Sequence, residues 1–303
     1  MTSDNFYQSA SQIESAFASA MERIYTYWGA YQYTYYNFNN DDQYDDGELV
    51  IEDNHGSDLW GQHYRSIADI NPAIKALNED VLGNSATQET KDQLMAQAKF
   101  VRAFNYFCLV RLWGPVPLIT ETTDVVAGEI TRAPIADVYE LIESDLLFAV
   151  ANLPEEWPPK QIGRPSKDAA RTLLSKVYIT MATAPLNITA QYVKARDMAK
   201  LVIDGGNYSL VHDVADVFKF ENAYGPEIIW SFNAAQNDPS TEPQIWLPGS
   251  MADGWGDIHP DPIWAQKYPV QPRRSAYLLL ENFEGVPWNE DPGFYWGGPG
   301  IKK

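Results

Sequence analysis

The sequence predicts a mainly α-helical fold: degenerate tetratricopeptide-like helix pairs followed by a loop-rich region with a few short β-strands. Three observations carry this. Six segments repeat apolar residues at the helical period; helix-ending and helix-starting residues stand at their boundaries; and near residue 205 the periodicity gives way to Pro, Gly, Asp and Trp. The 303 residues are read as a single domain, with 1–205 as helical-repeat scaffold and 206–303 as a truncated, ligand-facing loop region.

The first helix runs from about Ser9 to Trp28 on Ile13, Phe17, Ala20 and Ile24, and Ser9 with Gln12 has capping-box spacing. A second starts near Ser57 and passes Tyr64, Ile67, Asn71 and Ile74, with Pro72 expected to bend or restart it. The third opens at Ser85 or Thr87, carries apolar residues on two faces, and stops at Gly114-Pro115, so it should lie between neighbours. An extended piece, Val116 to Thr120, leads to helices over roughly 134–152, 167–183 and 189–204. Pro165-Ser166 and Thr189 are the expected starts of the last two, and Gly205-Gly206 closes the final one. Small residues such as Ala195 and Ala199 suit close helix pairing in an α-solenoid. Beyond residue 205, the alternation Ile228, Trp230, Phe232 predicts a strand.

Charge narrows the function. Forty-one acidic against 22 basic residues leave a net charge of −19, which argues against nucleic acid or an anionic membrane surface as the main partner. The single Cys108 excludes an intramolecular disulfide framework. No stretch reaches the roughly eighteen apolar residues of a membrane span, since the helix through Phe107 carries Arg102 and Arg111. Ten Trp and eighteen Tyr exceed what core packing asks, and six of the Trp follow residue 205, so exposed aromatic surface is expected.

Catalytic signatures are absent: there is no metal-protease helix, phosphate loop, nucleophile elbow or thiol pair. Paired carboxylates carry no signal for glycoside hydrolysis in so acidic a chain. No metal ligand set is assigned and no cofactor is expected. A weak calcium-loop pattern begins at Asp42, with Asp46, Gly47 and Asp53 at positions five, six and twelve, but Tyr44 spoils position three.

The stretch Ala98-Lys99-Phe100-Val101-Arg102-Ala103-Phe104-Asn105-Tyr106-Phe107, followed by Leu109-Val110-Arg111-Leu112-Trp113-Gly114-Pro115-Val116-Pro117-Leu118, resembles the most recognisable segment of the SusD/RagB family. A second block is similar to the family pattern in order and spacing: Val138-Tyr139-Glu140-Leu141-Ile142, Leu153-Pro154, and Gly163-Arg164-Pro165-Ser166-Lys167-Asp168 leading into Leu173-Leu174. Weaker matches reach Glu227-Ile228-Ile229-Trp230, so the resemblance covers nearly the whole chain. It implies an outer-membrane, surface-exposed lipoprotein that captures an oligosaccharide or polysaccharide without cleaving it. The glycan would then pass to a SusC-like TonB-dependent transporter. Against the family pattern, an anchoring leader and further helices are missing, so the chain is expected to be a piece of a longer protein.

Arg102 on so apolar a helix must be buried and needs an acidic partner, for which Asp145 is the candidate; the identifying residues are therefore expected to be structural. Glycan contact is expected instead from aromatic and carboxylate side chains in loops: Asp42, Tyr44, Trp246, Asp253, Trp255 and His259. Sugars offer hydroxyls to carboxylates and apolar C–H faces to rings, and these residues supply both. Two other readings compete: a helical scaffold binding a basic partner through its acidic face, and a glycoside hydrolase.

Overall fold

A computed structural model describes residues 6–30, 54–126, 128–231, 262–271, 274, 277–282, 284–293 and 300–301. The chain forms two compact units that interleave in sequence. The first comprises Met1–Tyr25, Asn54–Tyr208 and Ile229–Asn233; the second comprises Thr26–Asp53, Ser209–Ile228 and Ala234–Lys303.

Six long helices dominate the described residues: α1 Ala10–Ala30, α2 Asn54–Asn78, α3 Gln88–Trp113, α4 Ile135–Asn152, α5 Lys167–Ala182 and α6 Gln191–Gly205. The fold is mainly α, as the periodicity predicts. From α2 to α6 each helix packs on the next in chain order, the nearest-neighbour pattern of a helical solenoid. The expected capping box forms, with the Ser9 amide donating to Gln12 Oε1 at 3.1 Å. In α3, Phe100, Val101, Ala103, Tyr106, Phe107, Leu109 and Val110 are all buried, which only a helix covered on both sides achieves. Its ends are set by chemistry: Thr87 Oγ1 accepts from the Thr90 amide at the start, and Gly114 at φ 67° closes the end. A β-carbon would strain that last position.

Ile13 and Ala16 of α1 share an apolar cluster with Ala73 of α2, Leu82 just beyond it and Leu94 of α3, and polar bonds tie α1 to α2 at the rim. There Arg23 Nε and Ser19 Oγ both donate to Asp69, at 2.5 and 2.9 Å, and Ser66 Oγ donates to the Ala20 carbonyl. After α3 the chain forms a two-residue strand β1 (Val116–Pro117), antiparallel to β2 (Arg132–Ala133). The segment between them is strapped to the helices. Tyr64 Oη donates to the Pro117 carbonyl, and Tyr106 Oη both accepts from the Ile119 amide and donates to its carbonyl, which also takes a bond from Asn71 Nδ2.

Three expectations change. Pro72 does not restart α2, which continues through it to Asn78. Thr189 is not the cap of α6: Ala190 precedes the first turn without a side-chain bond, because Thr189 is itself in the turn, its carbonyl taking the Tyr192 amide. No strand forms over Glu227–Ser231. The Ile228 amide closes a turn onto Gly225, and Trp230 is drawn to the helices by its ring rather than to a neighbouring strand by its backbone.

In the second unit, two short 3₁₀ helices cover Val214–Phe218 and Phe220–Asn222, and a six-residue helix α7 spans Pro262–Lys267. Strand β3 (Leu278–Leu279) pairs antiparallel with β4 (Gly300–Ile301). Between them a turn is organised by Asn282, whose Oδ1 accepts the Glu284 and Val286 amides while its Nδ2 donates to the buried Asp291.

Candidate functional site

The residues with the strongest electrostatics lie inside the helical unit. Arg102, 2% exposed, makes a two-point contact with Asp145 through Nε and Nη2 at 2.7 and 2.9 Å. Its Nη1 donates to Glu121 at 2.5 Å and to Asn71 Oδ1 at 3.2 Å, and Lys99 adds a bond to Asp145. Burial works against the guanidinium charge, but Asp145 and Glu121 outweigh it and hold the arginine above its ordinary pKa. Glu121 is pushed up by burial and, more strongly in sum, down by Arg102, so its carboxyl sits below the usual range. Two cations face two carboxylates, so every charge has a counter-charge; the expected partnership of Arg102 and Asp145 is the observed one.

Nearby, His63 is 1% exposed and its Nδ1 bonds Asn105 Oδ1 at 2.8 Å, while Asn105 Nδ2 donates to Ser66 Oγ and to the Val101 carbonyl. Burial lowers its pKa to about 4, the Asn105 bond only partly opposing this. Because the folded value lies below the unfolded one, this contribution to stability is complete above about pH 6.5. It is lost as pH falls towards 4, amounting to roughly 3 kcal/mol in the limit. Urea denaturation across that range should therefore show a His63→Gln protein with a flatter pH dependence than the parent; equal slopes would refute the assignment.

Both clusters are enclosed by the helices and the strap, which suits a structural role. Exposed aromatic chemistry lies elsewhere. In the second unit, α7 carries Trp264, 50% exposed, one turn before Tyr268; their ring centroids are 4.9 Å apart with planes at 57°. Ile263 and Val270 beside them are also exposed. The i, i+4 spacing is present in the sequence, but only Trp264 stands out there because Tyr268 precedes a proline. The six residues expected to touch glycan, Asp42, Tyr44, Trp246, Asp253, Trp255 and His259, lie outside the described residues, as does the calcium-loop pattern. Among the described residues no group of three or more His, Cys, Asp or Glu is placed to hold a metal ion, and no helix is long and apolar enough to cross a membrane.

A helical-repeat scaffold whose charged centre is structural, joined in one chain to a unit with exposed rings, defines a protein of the helical solenoid class with an aromatic surface. Comparison with known proteins narrows this. Residues 3–179 match the SusD-like family described as "Starch-binding associating with outer membrane", and the chain belongs to that family. It is 30% identical over 227 residues to SusD-like protein P25 of Formosa agariphila, a match covering 73% of this chain and 40% of that protein. Among solved structures it resembles a SusD superfamily protein from Parabacteroides distasonis (TM-score 0.79, 23% identity, covering 99% of this chain and 69% of that one). It also resembles a SusD-like carbohydrate binding protein from Bacteroides fragilis (TM-score 0.78, 19% identity, 95% and 63%). The chain thus spans less than half the length of the curated Formosa relative.

Proposed function

We propose that this chain is the glycan-capturing part of a non-catalytic, surface-exposed outer-membrane protein that binds an oligosaccharide or polysaccharide and delivers it to a SusC-like TonB-dependent transporter. The family match over residues 3–179 is the observation that carries this reading. The fold shared with a carbohydrate binding protein over 95% of the chain supports it. Binding would rest on rings stacking on sugar faces, with carboxylate and imidazole groups accepting and donating around them. Trp246, Trp255 and Tyr44 are the proposed rings, Asp42, Asp253 and His259 the proposed polar contacts, and the half-exposed Trp264 joins them.

A glycan array followed by affinity gels tests this. Trp255→Ala and Tyr44→Ala should each weaken retention on the selected glycan by roughly 5- to 150-fold, the loss of about 1–3 kcal/mol of stacking, with the circular dichroism spectrum unchanged. Unchanged retention in both would refute the placement. Release of new reducing ends from the bound glycan would make the protein an enzyme, and salt-sensitive capture of a basic protein with no response to glycans would make it an acidic scaffold.

A further inference from the structure

At one end of the helical unit three elements bring aromatic rings and a cation together. Trp60 of α2 and Trp113 at the end of α3 meet with centroids 5.3 Å apart and planes at 88°, and Tyr64 tilts against Trp60 at 5.0 Å. Arg132 of β2 lies over the Trp60 ring, 5.3 Å from its centroid. Its Nη1 donates to the Pro115 carbonyl at 2.6 Å and, more weakly, to that of Trp113 at 3.5 Å. The guanidinium is therefore fixed by backbone and by a ring face, not by a carboxylate, in a chain with 41 acidic residues. No ion pair to Arg132 occurs among the described residues.

What remains of Arg132 is its Nε–H and Nη2–H edge. Arg132 is an exposed residue, and among the described residues neither atom has a protein partner; the indole N–H groups of the part-exposed Trp60 and Trp113 likewise have no acceptor there. That edge is the fork that takes two oxygens of a carboxylate or sulfate side-on. Among the described residues the unengaged hydrogen-bonding side-chain groups of Arg132, Trp60 and Trp113 are therefore all donors, beside part-exposed ring surface, while the Pro115 and Trp113 carbonyls are already turned to Arg132. A neutral sugar would want acceptors for its hydroxyl protons as well; a sugar bearing an anionic group would not need them.

We propose that Trp60, Trp113 and Arg132 form a subsite for an acidic sugar, with the Arg132 fork on its carboxylate or sulfate ester and the indoles against its C–H surface. The chain's net negative charge opposes an anion only weakly at this point, because charges beyond about 8 Å are screened at physiological salt while the fork is in contact. The subsite belongs to the helical unit and is built from residues other than the loop residues of the proposed glycan face.

Isothermal titration tests it with three probes: a galacturonate trisaccharide, a sulfated galactan hexasaccharide and a neutral galactan tetrasaccharide. At least one acidic probe should bind more tightly than the neutral one, with affinity falling as salt rises. Arg132→Gln should weaken that probe at least 10-fold, and Arg132→Lys, which keeps the charge without the fork, should recover only part of it. Trp113→Phe should weaken it too, and all three proteins should unfold at urea midpoints near that of the parent. The carboxylate and sulfate arms identify which anionic group is preferred. Equal binding of acidic and neutral probes, binding of none, or acidic binding indifferent to Arg132→Gln would each overturn the proposal. The reading of the preceding section is judged separately, by retention of Trp255→Ala on the array-selected glycan, so either can fail alone.

Discussion

Arg102→Ala should destabilise the protein by about 3–5 kcal/mol, the largest effect expected of any single polar substitution. The cost is not the energy of the ion pair. Asp145 is fully buried, and without Arg102 it keeps, among the described residues, only the Lys99 ammonium, at 3.1 Å, as a charged partner, while Glu121 and Asn71 lose a donor as well. An unpaired carboxylate in the interior is expensive, whereas a well-packed apolar replacement of both partners is often tolerated. Arg102→Met with Asp145→Leu should therefore recover much of the loss relative to Arg102→Ala, although Glu121 still loses its partner. Urea denaturation of the three proteins checks this; a double variant no better than the single one would show that the pair itself is the source of stability.

Trp230→Ala should cost roughly 2–4 kcal/mol, and Trp230→Phe only about 1 kcal/mol. The indole stands edge-on to Phe100 at 5.0 Å and to Phe104 at 5.8 Å, and its Nε1 donates to the Gly163 carbonyl at 3.0 Å. Alanine removes the ring contacts and the bond; phenylalanine removes mainly the bond. Since this side chain ties its stretch of backbone to the helical unit, Trp230→Ala should also speed proteolytic cleavage near residue 230, which a time course of limited proteolysis would measure. Equal stability of the alanine and phenylalanine variants would show that the rings contribute little.

Much of the helical unit was legible because its rules are local or costly to break. Apolar residues at the helical period, Ser9 with Gln12, Ser166 before α5 and Gly114 after α3 each mark their element from within a few residues. The Arg102 and Asp145 pairing is long-range, yet it could be reasoned out because a buried charge leaves so few solutions. Thr189 misled because a threonine before a helix has two uses, side-chain cap or turn residue, and only the backbone path through Asn187 at φ 53° decides between them. The alternation at 228–232 misled for the converse reason: period two states that alternate faces differ, not that a partner strand exists. Strand β3 finds its partner only at Gly300–Ile301, which no local pattern announces. The expected glycan contacts stand in stretches of sequence that carry neither a helical period nor a cap, and there the sequence supplies chemistry without position.

The strap after α3 shows where the instructions for a stretch of backbone can reside. Ile119 is gripped at both its amide and its carbonyl, and Pro117 at its carbonyl, by Tyr64, Asn71 and Tyr106. All these bonds read peptide groups, which every residue type carries, so the path is written in the helices and not in the letters of the segment that follows it. At Pro117 and Ile119 such a route is permissive, two tyrosines and an asparagine keeping the chain on course whatever side chains stand there, whereas two residues further on the pairing of Glu121 with Arg102 depends on the side chain itself.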